Sequence, residues 1–266
     1  MKAAMIKPRR IAWMFSFFAL LALLGTMTVD IQPASALTAN QKFASRVVLD
    51  FLNREMDPDE LADVESRLSS GTITRAQFVA EVIGSDEFDT QWATAIYGNY
   101  LNRLPSETEF AQATDLSHNG NNVTSEINVL QTTEYFNLAG STNTGYVQRL
   151  YSDLLFRAAD SSGLNYWVGK LNAGTSTRGQ VASALIRGSE GSRKRVGGAG
   201  VGVACSATSL NQPDSLSAGS YCLVLDRAVD ASGLTHWSAI LQGSGELPPL
   251  WISLASSTEY YNHSQL

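Results

Sequence analysis

A fourfold repeat constrains the fold of this chain more than any other feature of its sequence. In each copy an arginine ends a stripe of apolar residues with helical spacing, and a glutamate follows 31 to 33 positions later. We call these the repeat arginine and the repeat glutamate, and the four pairs are Arg54 with Glu87, Arg103 with Glu134, Arg157 with Glu190, and Arg227 with Glu259. A spacing kept while the residues between change indicates one supersecondary unit in four tandem copies.

Each copy predicts three helices. The apolar stripe before the repeat arginine is typical of an amphipathic first helix. A helix-start residue then follows three positions later in every copy, as Asp57, Ser106, Asp160 and Asp230, and Glu60 and Glu109 complete capping boxes in the first two copies. Thr74 and Gln77 form a capping box that begins the third helix of the first copy. Runs of alternating β-branched residues are missing, so the predicted class is all-α, with four tandem three-helix units packed as helical bundles.

The predicted organisation has five segments. Residues 1–36 combine a basic start, an apolar run and a small-residue cleavage site, which is typical of a secretory signal peptide, although an uncleaved membrane anchor is the alternative. Repeats one and two occupy residues 37–140 and repeat three occupies residues 141–195. A Gly/Ser-rich loop spans residues 196–220, and repeat four spans residues 221–266. We expect repeats one and two to form one cooperative body and repeats three and four a second.

Charge and cysteine content limit the partners and the compartment. The chain has 19 Lys+Arg and 25 Asp+Glu, and removal of the first 36 residues takes away four bases and one acid, which leaves a net charge of −9. An acidic chain without a basic patch is a poor ligand for nucleic acid or an anionic membrane surface. Cys205 and Cys222 in an exported chain favour a disulfide over two free thiols.

The repeated charged residues favour structure over catalysis. An enzyme needs one site, whereas the arginine–glutamate pair occurs four times. An arginine at a helix C-terminus interacts favourably with the helix dipole, and a buried arginine needs a carboxylate as its partner. Asp57, Asp160 and Asp230 are explained as N-caps, because a calcium loop offers several acidic oxygens at alternate positions. The histidines have no paired ligand spacing. We therefore expect no enzyme activity, no metal site and no cofactor.

Two tryptophans are the remaining candidates for a binding site. Trp167 and Trp237 lie at the same position of the second helix in repeats three and four, and Tyr166 precedes the first of them. Aromatic rings of this kind can stack on sugars, but their place on the apolar face favours a role in the core.

Repeats three and four resemble the bacterial family called domain of unknown function 4214. Its pattern, Y-x-x-L-L-x-R-x-x-D-x-x-G-L-x-x-W followed by a glycine turn and S-x-E, is met in repeat three by Tyr151, Leu155, Arg157, Asp160, Gly163, Leu164, Trp167, Gly174 and Ser189-Glu190. Repeats one and two depart from it, with Glu60 and Glu109 at the glycine position and Val64 and Ala113 at the tryptophan position. Repeat one is also similar to the phycobilisome linker repeat. These resemblances imply an exported or cell-surface protein without an assigned activity, or an assembly module.

The sequence thus predicts an exported, non-enzymatic helical repeat protein for interaction or assembly, secreted, periplasmic or at the cell surface. We expect a protein or an extracellular glycan as partner, no nucleic acid and no membrane after signal cleavage, while oligomers are possible. The alternatives are a glycan-binding module, an accessory domain of an extracellular carbohydrate-active system, and an enzyme with two convergent acids in an open cleft.

Overall fold

Regular secondary structure in the described part of the chain is entirely α-helical, which confirms the predicted class. The structure is a computed structural model that describes residues 36–198, 205 and 219–266. The predicted signal peptide lies outside these residues except for Ala36, and so does most of the predicted Gly/Ser-rich loop. Among the described helices none has the length and the apolar content that a bilayer crossing requires.

Fifteen helices are described. Repeat one contains α1 (Ala39–Leu52), α2 (Pro58–Ser69) and α3 (Arg75–Ile83). Repeat two contains α4 (Asp86–Leu101), α5 (Glu107–His118), α6 (Asn122–Leu130) and α7 (Thr133–Leu138). Repeat three contains α8 (Asn143–Leu155), α9 (Ser161–Asn172), α10 (Arg178–Arg187) and α11 (Ser189–Gly197). Repeat four contains α12 (Ser220–Leu225), α13 (Ala231–Ser244), α14 (Pro248–Ala255) and α15 (Thr258–His263).

The observed unit has one more helix than the predicted unit of three. In repeats two to four the repeat glutamate lies in the first turn of a short final helix, α7, α11 or α15. In repeat one the same segment is the first turn of α4, so it continues into repeat two. These helices begin because residues such as Ser85 and Thr132 accept a hydrogen bond from a backbone N–H three positions on. The helix α11 also extends two residues beyond the expected boundary at residue 195.

A left-handed residue ends the first helix of every repeat. Asn53, Asn102, Phe156 and Asp226 have φ between 51° and 54°, and each immediately precedes a repeat arginine. A residue in this conformation stops the helix and turns the chain away from the helix axis. The repeat arginine therefore emerges at the same place in all four units.

Repeat four packs against repeat one. The Tyr260 hydroxyl of α15 donates to Asp50 Oδ2 of α1 at 2.8 Å, and the rings of Phe43 and Tyr260 meet edge to face with centroids 6.0 Å apart. The same bond joins repeats two and three, where the Tyr135 hydroxyl donates to Asp153 Oδ2 at 2.8 Å. Both tyrosines follow a repeat glutamate, and both aspartates lie four residues before a repeat arginine. The described residues from Leu37 onward form one compact unit, so the expectation of two separate bodies is wrong.

The core at the centre of this unit is shared between repeats. The ring of Trp251 in repeat four lies 6.0 Å from Phe51 of repeat one, and 5.9 Å and 6.1 Å from Phe88 and Trp92 of repeat two. All four side chains are buried. Because aromatic side chains supply large buried areas, each repeat depends on its neighbours for much of its hydrophobic stabilisation.

Cys205 and Cys222 form a disulfide, as expected, with Cα atoms 5.2 Å apart. Cys222 lies in α12, which has only six residues. The bond therefore holds residue 205 against the first helix of repeat four.

Arginine clusters and a cleft in the first repeat

Each repeat arginine binds the repeat glutamate of its own unit, which confirms the contact that the spacing predicts. The Nε atoms of Arg54, Arg103 and Arg157 donate to Glu87, Glu134 and Glu190 at 2.7, 2.7 and 2.6 Å. Arg227 binds Glu259 through Nε and, at 2.9 Å, through Nη2. The left-handed residue before the arginine and the N-cap before the glutamate bring the two side chains together in all four units.

A second acid completes each cluster, and it differs between the two halves of the chain. In repeat one the Arg54 Nη1 and Nη2 atoms each donate to Glu60 at 2.8 Å, and Arg103 binds Glu109 in the same way in repeat two. Glycine replaces this glutamate in repeats three and four, where the N-cap residues Asp160 and Asp230 take its place at 3.2 and 3.5 Å. The sequence indicated only the capping role of Glu60 and Glu109, because their distance to the arginine depends on the turn between the helices.

The clusters lie at the surface, and in repeats one and two the arginine lowers the pKa of the second glutamate. The side chains of the repeat arginines are 33 to 38% exposed, so they are only partly buried, whereas the sequence analysis considered a buried arginine. The hydrogen bond from Arg103 lowers the pKa of Glu109 to about 2, and that from Arg54 lowers the pKa of Glu60. Catalysis by two carboxylates requires one with a raised pKa to donate a proton. Neither Glu60 nor Glu109 meets this requirement.

A tyrosine ring fills the space beneath the guanidinium in three of the four units. Arg103 lies 5.3 Å from the ring centre of Tyr97, and the corresponding distances to Tyr151 and Tyr221 are 5.0 and 5.1 Å. In repeats three and four the tyrosine also explains the glycine of the family pattern. A Cβ atom at Gly163 would lie 2.2 Å from the hydroxyl of Tyr151, so a side chain there would have to displace the tyrosine.

Repeat one has Val48 in place of this tyrosine, and a cleft opens there. We call it the repeat-one cleft; its volume is about 240 Å³. Its apolar lining consists of Val48, Leu52, Met56, Val64, Phe78 and Val82. Its charged lining consists of Arg54, Glu60, Asp63, Glu81 and Glu87. Val48 lies six residues before Arg54, at the position where the other repeats have tyrosine, so this difference between the repeats is visible in the sequence.

The other predicted site residues have structural contacts. Asp57 caps α2, Asp160 caps α9 and Asp230 caps α13, each accepting backbone N–H bonds at 2.8 to 2.9 Å, as predicted. Trp167 and Trp237 are half-buried and pack against the core. Tyr166 lies edge-on to Trp167 at 4.8 Å and is 56% exposed.

One cluster with metal-binding residue types was missed by the sequence analysis. His118 Nδ1 lies 3.2 Å from Asp89 and 3.6 Å from Asp86. Asp89 is buried, and this burial raises its pKa, whereas the other two side chains are exposed. The residues come from α4 and α5, so no local spacing could reveal them. The donor set would suit a divalent cation, but an exposed group of this kind also occurs without one.

The comparisons with known proteins give one family match. The family model described as Domain of unknown function (DUF4214) matches residues 32–92 and 127–194, which confirms the resemblance for these two regions. Repeat four, which carries much of the pattern, lies outside both matched regions, and the similarity to the phycobilisome linker repeat stays a prediction. No curated protein and no solved structure matches the chain.

Proposed function

We propose that the protein is an exported, non-enzymatic helical repeat protein that serves interaction or assembly outside the cytoplasm, at the cell surface or in the extracellular matrix. The observation that carries this proposal is the repeat-one cleft. Three repeats fill the corresponding space with their own tyrosine, whereas repeat one leaves it open beside a partly exposed arginine cluster. A rigid unit with one such opening suits binding of a protruding group from a partner.

The state of the acids supports a non-enzymatic role. Glu60 and Glu87 both bind Arg54, and Asp63 and Glu81 both bind Arg67. The cleft thus contains convergent acids, which is the feature an enzyme would need, but each is engaged by a guanidinium. An arginine within hydrogen-bonding distance favours the ionised form of a carboxyl group. Arg54 lowers the pKa of Glu60, so general acid catalysis by this carboxylate is disfavoured near neutral pH.

Export is supported by the predicted signal peptide together with the disulfide. Structural disulfides persist in oxidising compartments and are rare in the reducing cytosol. The predicted net charge of −9 after signal removal speaks against nucleic acid as a partner and favours a neutral or locally cationic one.

The test compares the partners of two variants of residues 37–266. The purified chain is immobilised and exposed to the extracellular fraction of the producing cells, and captured proteins are purified and tested again for direct binding. We expect binding by the original chain and its loss in Val48→Tyr, because the new ring would fill the cleft as Tyr97 does in repeat two. Val48→Ala is the matched control and keeps the cleft open. Equal binding by all three chains, or hydrolysis of an offered substrate, would contradict the proposal.

A glycan-binding module, or an accessory domain of an extracellular carbohydrate-active system, is the second candidate. The exposed Tyr166 ring beside Trp167 is the observation that favours it, because exposed aromatic faces stack on sugars. A glycan array that gives a signal with the original chain and no signal with Tyr166→Ala would support this candidate. Tyr166→Phe, which keeps the ring, should then retain the signal.

A further inference from the structure

We propose that the repeat-one cleft is a receptor for a tyrosine side chain, and that its occupant is Tyr166 of a second copy of this chain. The inference rests on the proposed assembly function and adds the partner, the contact residue and the geometry of association. Copies of the protein would then assemble head to tail, with the cleft on repeat one of one copy binding the Tyr166 ring on repeat three of the next.

Repeat two shows what the repeat-one cleft is shaped to hold. Arg54 and Arg103 bind corresponding glutamates in the two units at nearly the same distances, and Arg103 makes one additional bond, from Nη2 to Glu134 at 2.6 Å. Each arginine also donates through Nη1 to the carbonyl oxygen of the next residue. The units differ beneath the guanidinium, where repeat two has the ring of Tyr97 and repeat one has the smaller Val48.

The size of the opening agrees with a six-membered ring. A dry cavity of about 150 Å³ is sufficient to bind benzene in a protein core. The repeat-one cleft has a volume of about 240 Å³, which leaves room for a phenol ring and its hydroxyl. Tyr97, Tyr151 and Tyr221, which occupy the corresponding position in the other repeats, are at most 7% exposed, so the unit buries such a ring almost completely when one is present.

The lining selects a neutral or electron-rich aromatic ring. Arg54 is held in place by Glu60 and Glu87, and a fixed guanidinium stabilises an aromatic face by a cation–π interaction. Phe78 and Val82 provide apolar contacts deeper in the cleft. Four carboxylates against one guanidinium along the wall disfavour phosphate or carboxylate ligands. The same carboxylates can accept a hydrogen bond from a phenol hydroxyl.

Tyr166 is the tyrosine of this chain that is available to enter such a cleft. The sequence has nine tyrosines, all in the described part of the chain, and Tyr166 is the exposed one, at 56%. It lies on α9, a helix without a fully buried residue. Lys170 is one turn further along, with Nζ 5.0 Å from the Tyr166 ring centre, and α9 has no acidic residue. This locally cationic face complements the acidic wall of the cleft.

Such a contact joins two different surfaces of the same protein. We infer a head-to-tail arrangement in which each pair of chains shares one such contact; that interface is heterologous and produces rings or open chains, whereas two reciprocal contacts would close a twofold dimer. An open assembly has an unoccupied Tyr166 side chain at one end and an unoccupied repeat-one cleft at the other. Its length therefore increases with protein concentration.

Analytical ultracentrifugation of residues 37–266 over a range of concentrations, with the disulfide intact, tests the proposal. We expect the original chain to form species larger than a dimer, and Val48→Tyr and Tyr166→Ala each to remain monomeric. In an equimolar mixture of these two variants, Val48→Tyr supplies the Tyr166 side chain and Tyr166→Ala supplies the open cleft. We therefore expect heterodimers and nothing larger. Millimolar p-cresol should dissociate the assemblies, whereas the same concentration of benzoate should not.

Matched variants separate loss of contact from loss of folding. Val48→Ala and Tyr166→Phe should assemble at least tenfold more strongly than Val48→Tyr and Tyr166→Ala, while circular dichroism shows all four to be folded. The proposal is overturned if the original chain is monomeric at every concentration, or if either blocking variant assembles as the original does. If a purified partner from the extracellular fraction still binds the monomeric chain but does not bind Val48→Tyr, the proposed function stands and the contact between two copies alone is wrong.

Discussion

The contact between the last and the first repeat makes a strong prediction about stability. Tyr260→Phe removes the hydroxyl that donates to Asp50, a carboxylate that is only 7% exposed. Hydrogen bonds to charged groups contribute about 1.5–3 kcal/mol, and a buried acceptor that loses its donor is costly. Arg46 still binds Asp50 through Nε at 2.7 Å, so the aspartate keeps one partner. We therefore expect the free energy of unfolding to fall by about 2 kcal/mol.

The same substitution between repeats two and three provides the matched comparison. Tyr135→Phe removes the bond to Asp153, whose side chain is 25% exposed and therefore better hydrated after the loss. We expect a smaller decrease, of about 1 kcal/mol. Because the two interfaces share no residue, the double variant should show the sum of the two effects.

Urea unfolding of residues 37–266, followed by tryptophan fluorescence, measures both values. Trp92 and Trp251 lie in the shared central core, so their signal reports the whole unit and not only its C-terminal helix. We expect one transition with an unchanged slope and a lower midpoint in Tyr260→Phe. A midpoint within experimental error of the original would show that α15 frays independently, and that the contact between repeats four and one does not stabilise the unit.

Three further predictions follow from other contacts. Burial raises the pKa of Asp50 to about 6, above its unfolded value of about 3.9. As the pH falls, the folded state takes up this proton first, so the free energy of unfolding should rise by about 1 kcal/mol between pH 7 and pH 5. Urea titrations should find this pH dependence reduced in Asp50→Asn. Gly163→Ala should cost about 1–3 kcal/mol in thermal or urea unfolding, since its Cβ would meet Tyr151, whereas Gly169→Ala on the same helix meets nothing and should be neutral or stabilising. Reduction of the Cys205–Cys222 bond should lower stability by about 3 kcal/mol, while the Cys205→Ser/Cys222→Ser variant should be insensitive to reductant.

Local signals in the sequence predicted the helix starts and the arginine–glutamate contacts. The boxes at Asp57 and Thr74 begin α2 and α3 where expected, because a side chain that caps a helix does so within three residues. The spacing of Arg54 and Glu87 was sufficient to predict their contact, since the same pair recurs in four copies. These features depend on short range or on repetition, which one sequence can show.

Features that depend on distant contacts were not predicted. The bond from Tyr260 to Asp50 joins residues 210 positions apart, so the packing of repeat four on repeat one had no local signal. The final helices α7 and α15 were missed because six residues are too few to show a helical hydrophobic period. The sequence shows Val48 where the other repeats have tyrosine, but valine and tyrosine are equally acceptable in an apolar stripe, so it does not show that the difference leaves a cleft open.

Photocrosslinking from position 166 tests the central claim, that Tyr166 enters the repeat-one cleft of a second copy, most directly. Residues 37–266 carrying p-benzoylphenylalanine at this position are mixed with an isotopically labelled chain, irradiated and analysed by mass spectrometry. We predict crosslinks between labelled and unlabelled chains at Met56 and Val64, which line the cleft, and their loss when the labelled chain carries Val48→Tyr. Crosslinks confined to one chain, or directed to surfaces away from α1, α2 and α3, would contradict the claim.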